Sequence, residues 1–175
     1  MIKSKQSVLI NNKIIPRIIA VSKTFKLNHI SPLIEYGHID YGENKVQEAV
    51  EKWSEIKSKN NKIKLHLIGK LQTNKVKVAL QLFDYIHSID NEKLATKISN
   101  EQIKQNLRPK LFIQVNIGNE HQKSGIQVEK LDDFYNFCKE INLNIIGLMC
   151  IPPIDHDTET SFLKMDNLKK KMNLP

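Results

Sequence analysis

The chain has 175 residues, 40% of them hydrophobic and 26% charged, an ordinary balance for one globular domain with a sizeable core. No apolar run approaches the roughly 18 residues that span a bilayer, and the apolar piece Val8-Leu9-Ile10 is too short for an export signal and is broken by Asn11-Asn12-Lys13, so no membrane is expected and the expected location is cytoplasmic. The net charge of +8 raises the question of nucleic acid, but only Arg17 and Arg108 are arginines, the lysines are spread along the chain and aromatics are 6%, so a nucleic-acid partner is not expected either.

The first expected strand is residues 18–22, the apolar run Ile18-Ile19-Ala20-Val21-Ser22, closed by Lys23. A buried strand that ends in lysine presents an amine at the rim of a sheet, where partial loss of hydration favours the neutral, nucleophilic form. Such amines form Schiff bases with carbonyl compounds. The plainer reading is a surface lysine that closes a strand. Residues 28–36 read as a short helix, with Pro32 in its first turn or, with Ser31 as N-cap, opening it one turn later. The second strand, 39–42, ends in Tyr41-Gly42-Glu43-Asn44, and helix 45–56 places Val46, Ala49, Val50 and Trp53 on one face with acids and lysines on the other.

The third strand, 65–69, contains His66 and leads into Gly69-Lys70-Leu71-Gln72 and a helix over 73–82 with Val76 and Leu80 inward. The fourth, 85–89, precedes helix 91–105, with Leu94, Ile98 and Ile103 inward. The fifth, 111–116, ends at Asn116 and is followed by Gly118 and by Lys123-Ser124-Gly125; helix 128–141 then carries Leu131, Phe134, Tyr135 and Cys138. The sixth, 145–151, runs through Cys150 into Pro152-Pro153, and helix 158–172 carries Phe162, Met165, Leu168 and Met172. Cys138 and Cys150 match no metal spacing and read as buried thiols, so no metal site is expected.

Strand and helix alternate six times, which predicts an α/β fold with a parallel sheet. The repeat suits either an open doubly wound sheet or part of a (β/α)8 barrel. No GxGxxG follows the first strand and no P-loop is present. In both architectures chemistry collects at the C-terminal ends of strands, and polar groups recur there. Each has a structural reading beside the functional one: Asn44 as a helix N-cap, Glu43 as a partner of the helix dipole, His66 as a core histidine, Asp90 as an N-cap, Asn116 and Ser124 as turn residues.

The strings AVSKT, YGENKVQEA, HLIGKLQTNK, HSID, IQVN, KSGI and GLMCIPP occur in this order. With them the chain closely resembles the pyridoxal phosphate homeostasis protein family over residues 18–172. The resemblance implies a TIM barrel similar to the N-terminal domain of alanine racemase. It implies pyridoxal 5′-phosphate held as a Schiff base on Lys23, with Asn44 near the cofactor. It implies a part in intracellular vitamin B6 homeostasis, buffering the cofactor or delivering it to apo forms of pyridoxal-phosphate enzymes, with no catalytic residues of its own. The alternative is a pyridoxal-phosphate enzyme such as an amino-acid racemase. That chemistry needs a second acid/base opposite the lysine, and Tyr36, Tyr41, Tyr85 and Tyr135 all have ordinary packing explanations. Residues 1–175 are expected to form a single barrel domain with about six of the eight βα units. Strands seven and eight, which carry the phosphate-binding segments in relatives, are expected to be absent, and a complete barrel of this kind is expected to be a monomer. Helix N-termini near Asn44 and Thr73 are then the expected substitutes for the phosphate anchor.

Overall fold

The computed structural model describes residues 9–10, 13–14, 16–120, 122–154 and 157–174. Leu9–Ile10 pairs antiparallel with Lys13–Ile14. The remaining elements alternate: β1 (Ala20–Val21), α1 (Leu27–Glu35), β2 (Asp40–Glu43), α2 (Val46–Lys59), β3 (Lys64–Leu67), α3 (Val76–Leu82), β4 (Tyr85–Ile89), α4 (Glu92–Gln105), β5 (Lys110–Val115), α5 (Leu131–Glu140), β6 (Ile145–Cys150) and α6 (Thr158–Lys171). Short 3-10 turns at Thr73–Lys75 and Val128–Lys130 lead into α3 and α5. The six strands form one parallel sheet in the order β1-β2-β3-β4-β5-β6. A doubly wound sheet reverses its strand order at a switch point. Here spatial order follows chain order without reversal, which is the winding of a (β/α)8 barrel.

Successive residues of a strand point to opposite faces, and the two faces of this sheet differ sharply. Toward the helices lie Tyr41, Leu65, Leu67, Ile86, Leu111 and Ile113, all fully buried. Ala49 and Trp53 of α2, Val76 and Ala79 of α3, Leu94 and Ile98 of α4, and Leu131 and Cys138 of α5 complete this layer. Each large apolar side chain buried here contributes about 1.5–3 kcal/mol. The other face is polar. The Arg17 guanidinium donates to both oxygens of Asp40 at 2.7 Å. Asp40 Oδ1 lies 3.1 Å from His66 Nε2, and His66 Nδ1 lies 2.9 Å from His87 Nε2. The His66 ring stacks on Tyr85 and the His87 ring on Phe112, with centroids 4.2 and 4.3 Å apart. His66 is thus a core histidine with both nitrogens engaged.

Several expectations are corrected. Among the described residues β1 is an edge strand with a neighbour on one side only, and Val21 is 48% and Ile18 56% exposed instead of buried. Pro32 sits in the second turn of α1, and the N-cap is Lys26. Asn91, not Asp90, caps α4: its side chain accepts from the Leu94 amide. Ile103 is 72% exposed because the inward stripe from Ile98 continues through Glu101 and Gln102, three and four residues on. Phe162 is also exposed; the buried residues of α6 are Ser161 and Met165, and Met172 is buried at its C-cap. Cys138 is fully buried and burial pushes its thiol up to about 12, whereas Cys150, on the edge strand β6, is only half-buried.

His87 and Asp84 are two of the groups through which stability depends on pH. Burial, and then the neighbouring His66 ring, push the His87 imidazole down to about 4 from its ordinary 6.5. The unfolded chain binds this proton more readily, so the stabilisation is complete above about pH 6.5 and is lost, by roughly 2–4 kcal/mol, as pH falls toward 4. Urea midpoints taken from pH 7 to 4 should drop accordingly, and His87→Gln should flatten that window; a midpoint that does not move contradicts the assignment. Asp84, between α3 and β4, accepts from Lys57 Nζ at 2.6 Å and from the Leu65 amide at 2.9 Å. Burial opposes its charge, but the hydrogen bonds from Lys57 and Leu65 and the charges of Lys57 and Lys64 outweigh it and hold the carboxyl below its usual range. Its contribution is present above the unfolded value of about 3.9 and disappears as pH falls through the folded one. Asp84→Asn should therefore cost about 1–3 kcal/mol at pH 7, with the gap to the unaltered protein narrowing below about pH 4. A gap that stays constant over that range would count against this role.

Candidate functional site

The C-terminal rim of the sheet begins where β1 ends. Ser22 is buried; its amide donates to the Gly42 carbonyl at 2.9 Å and its hydroxyl to Glu43 Oε1 at 2.8 Å. The chain then turns, with the Phe25 amide donating back to the Ser22 carbonyl at 3.2 Å. Thr24 in this turn has φ 66°, a left-handed conformation that costs a β-branched residue roughly 1–2 kcal/mol. Its amide is held by Glu48 Oε1 at 2.7 Å. Lys23, between these two anchored residues, is exposed. The fold therefore does not supply the partial loss of hydration expected of it; the edge position of β1 leaves its side chain open to solvent.

Beneath the turn lies a charged cluster in the otherwise apolar layer between sheet and α2. Glu43 is fully buried. Its Oε1 accepts from Ser22 Oγ at 2.8 Å, Trp53 Nε1 at 2.8 Å and Lys52 Nζ at 3.0 Å, while its Oε2 is buried without a partner among the described residues. The expected role toward the helix dipole gives way to this one. Lys52 also donates to the Ser22 carbonyl at 2.9 Å and to Glu48 Oε1 at 3.2 Å. The Thr24 amide, with help from the Lys52 ammonium and against some burial, holds the Glu48 carboxyl below the usual carboxylate range. Taking such charges out of water costs several kcal/mol per ion unless each is paired. Reading the sequence left Lys52 and Glu48 on a solvated helix face. The signal that marks them is the i,i+4 spacing of Glu48 and Lys52 one turn beyond Glu43.

Asn44 follows β2. The N-cap of α2 is Lys45, with no side-chain cap bond, so Asn44 is not committed to capping. It is half-buried and lines a cavity of about 370 Å³ across the strand ends, together with Gly69, Lys70, Gln114, Asn116, Lys123 and Ser124. Gly69 is required at that place, because a Cβ would come within 2.3 Å of the Asn44 carbonyl oxygen. On the far wall, residues 123–126 fold over the end of β5: the Ile126 amide donates to Gln114 O at 2.8 Å and Gln114 Nε2 to Ser124 O at 3.2 Å. Asn116 acts as a turn residue, clasping both the amide and the carbonyl of Glu120. Lys23 does not line this cavity. It stands beside it on the adjoining strand end, since β1 pairs with β2. The tyrosines lie elsewhere: Tyr41 is buried against Trp53 with its hydroxyl on the His38 carbonyl, Tyr85 stacks on His66, Tyr135 sits under Lys139, and Tyr36 is exposed.

Residues 6–173 match the family of the alanine racemase N-terminal domain. The pyridoxal phosphate homeostasis protein of Aquifex aeolicus is 34% identical over 160 residues, which cover 89% of this chain and 69% of that protein. The solved structure of PipY from Synechococcus elongatus PCC7942 without PLP superposes with a TM-score of 0.81 at 30% identity, over 89% of this chain and 74% of PipY. PipY with PLP bound gives 0.76. Alanine racemase of Clostridium difficile 630 gives 0.65 at 14% identity, over 89% of this chain and 41% of the racemase, a likeness of fold alone. By its motifs, its barrel winding and these matches, the chain belongs to the pyridoxal phosphate homeostasis protein family, whose domain is that of the alanine racemase N-terminus.

Proposed function

We propose that this chain binds pyridoxal 5′-phosphate through Lys23 and serves vitamin B6 homeostasis as a holder of the cofactor, not as a catalyst. The observation that carries this is an exposed lysine amine on an anchored turn at the C-terminal rim, in a chain 30% identical to a protein solved with PLP bound. The donor set fits the group. Pyridoxal phosphate supplies an aldehyde that condenses with a primary amine, and Lys23 is open to one. The adjoining cavity offers the amides of Asn44 and Gln114, the Ser124 hydroxyl and the cations Lys70 and Lys123, which suit an anionic, oxygen-rich ligand. Its volume falls in the range of small-molecule sites. In this reading Lys23 bonds the cofactor, Asn44 orients it, and the six βα units act as one binding domain.

The name carried by the Aquifex relative supports a role in homeostasis. A racemase is the second reading, favoured by the domain family that the chain matches. It needs an acid/base facing the lysine across the ligand, and Tyr41 and Tyr85 are occupied in packing. A holder has apo pyridoxal-phosphate enzymes as its recipients, which puts it with them in the cytoplasm. Chiral analysis of L-alanine incubated with the loaded protein separates the two readings: sustained formation of D-alanine favours the enzyme.

Lys23→Ala should lose the cofactor adduct that borohydride fixes, read by intact mass and peptide mapping; retention at the same stoichiometry would show that another amine is the site. Asn44→Ala should weaken cofactor binding severalfold while leaving the unfolding free energy from urea titration within about 0.5 kcal/mol of the unaltered protein, since loss of a true N-cap costs about 1 kcal/mol. A clear loss of stability with unchanged binding would return Asn44 to a structural role.

A further inference from the structure

Both peptide units that flank the Lys23 α-carbon are held by side chains of α2. The carbonyl of the Ser22–Lys23 unit accepts from Lys52 Nζ at 2.9 Å, and the N–H of the Lys23–Thr24 unit donates to Glu48 Oε1 at 2.7 Å. Lys52 and Glu48 are also joined to each other, one helical turn apart, at 3.2 Å. The third donor of Lys52 goes to Glu43, which in turn takes the Ser22 hydroxyl. All three ammonium donors of Lys52 are thereby spent on the walls of one turn.

This arrangement exceeds what docking α2 requires. The helix already buries Val46, Ala49 and Trp53. The Lys52 ammonium adds nothing to that apolar stripe, yet the side chain is only 9% exposed, a placement that a lysine avoids unless its charge has partners. The strained residue Thr24 sits immediately after Lys23, and the bond that holds its amide comes from the same pair. Backbone strain persists where the surroundings over-determine it, and it gathers at sites of function.

We propose that Lys52 and Glu48, braced by Glu43, are positioning residues for Lys23: they set its backbone on both sides so that a side chain with no shelter of its own meets an aldehyde from one fixed origin. The inference rests on the reading of Lys23 as the cofactor lysine. Attachment joins the Lys23 nitrogen to the aldehyde carbon with loss of one water, and borohydride then adds hydride to the C=N bond. A misplaced origin costs reactivity steeply, since errors of about 1 Å at a reacting group can cost a hundredfold.

The test titrates the full chain with pyridoxal phosphate, follows the absorbance of the adduct, fixes it with borohydride and maps the labelled lysine by peptide mass. Hydrogen exchange of peptides covering residues 22–26 and thermal melting accompany each variant. Lys52→Met keeps the stem and removes the donors; it should raise the concentration for half-labelling of Lys23 by about tenfold or more and speed exchange of the turn. Lys52→Arg should recover most of the affinity. Glu48→Gln, whose amide oxygen still accepts the Thr24 N–H, should stay within about threefold of the unaltered protein, while Glu48→Ala should follow Lys52→Met. Should Lys52→Met not fold, Glu48→Ala alone carries the comparison, because it leaves the buried Glu43–Lys52 pair intact. Folded variants that label Lys23 with unchanged affinity overturn the positioning role and leave the cofactor lysine standing. Absence of label at Lys23 in the unaltered chain overturns both.

Discussion

One carboxylate oxygen, Oε1 of Glu43, sets the geometry of the rim. It lies in the dry layer between sheet and helix, where a charge is tolerated only if donors surround it. Three donors do, and they come from three places: Ser22 at the end of β1, and Lys52 and Trp53 on successive positions of α2. Satisfying this one group forces β1, β2 and α2 into a single arrangement. Lys52 then extends the constraint to the Ser22 carbonyl, and Glu48 extends it to Thr24. The electrostatic demand of a buried residue is in this way passed on to the backbone of an exposed one, Lys23.

The sheet beneath divides its two tasks between its faces. The helix-facing side carries aliphatic and aromatic residues whose burial holds the layers together. The inner side carries Arg17, Asp40, His66 and His87 in a continuous chain of polar contacts, with Tyr85 and Phe112 stacked on the imidazoles. Such a chain is costly if any link is unpaired and stiff if all are paired. It lies below the rim, so the groups proposed to meet the cofactor stand at the ends of strands that are tied to each other on both faces. Asp40, His66 and His87, polar residues of three successive strands, are neighbours in the fold.

Much of this was legible beforehand because strand and helix leave different periods in a sequence. Residues 85–89 are a strand in both readings, and the apolar stripes of α2, α3 and α5 fall where the 3.6-residue period puts them. The errors have local causes. Ile103 and Phe162 are apolar residues one position off a buried stripe, and composition alone cannot say which edge of a helix faces the sheet. Asp90 and Asn91 are both good caps; the choice falls to whichever side chain reaches the Leu94 amide. Lys52 and Glu48 look like any solvated i,i+4 pair until the turn after β1 is folded against them.

The sequence alone determined the alternation of elements, the parallel sheet, the likeness to the pyridoxal phosphate homeostasis proteins and the placing of Lys23 at a strand end. These follow from local pattern and from ordered motifs, which survive without knowledge of contacts. Tertiary structure decided the rest. It decided between open and barrel winding, because strand order is a long-range property. It freed Asn44 from a capping role, buried Glu43 and drew Lys52 out of solvent, because burial and pairing depend on residues 9 to 30 positions away in the chain that only folding brings within hydrogen-bond reach.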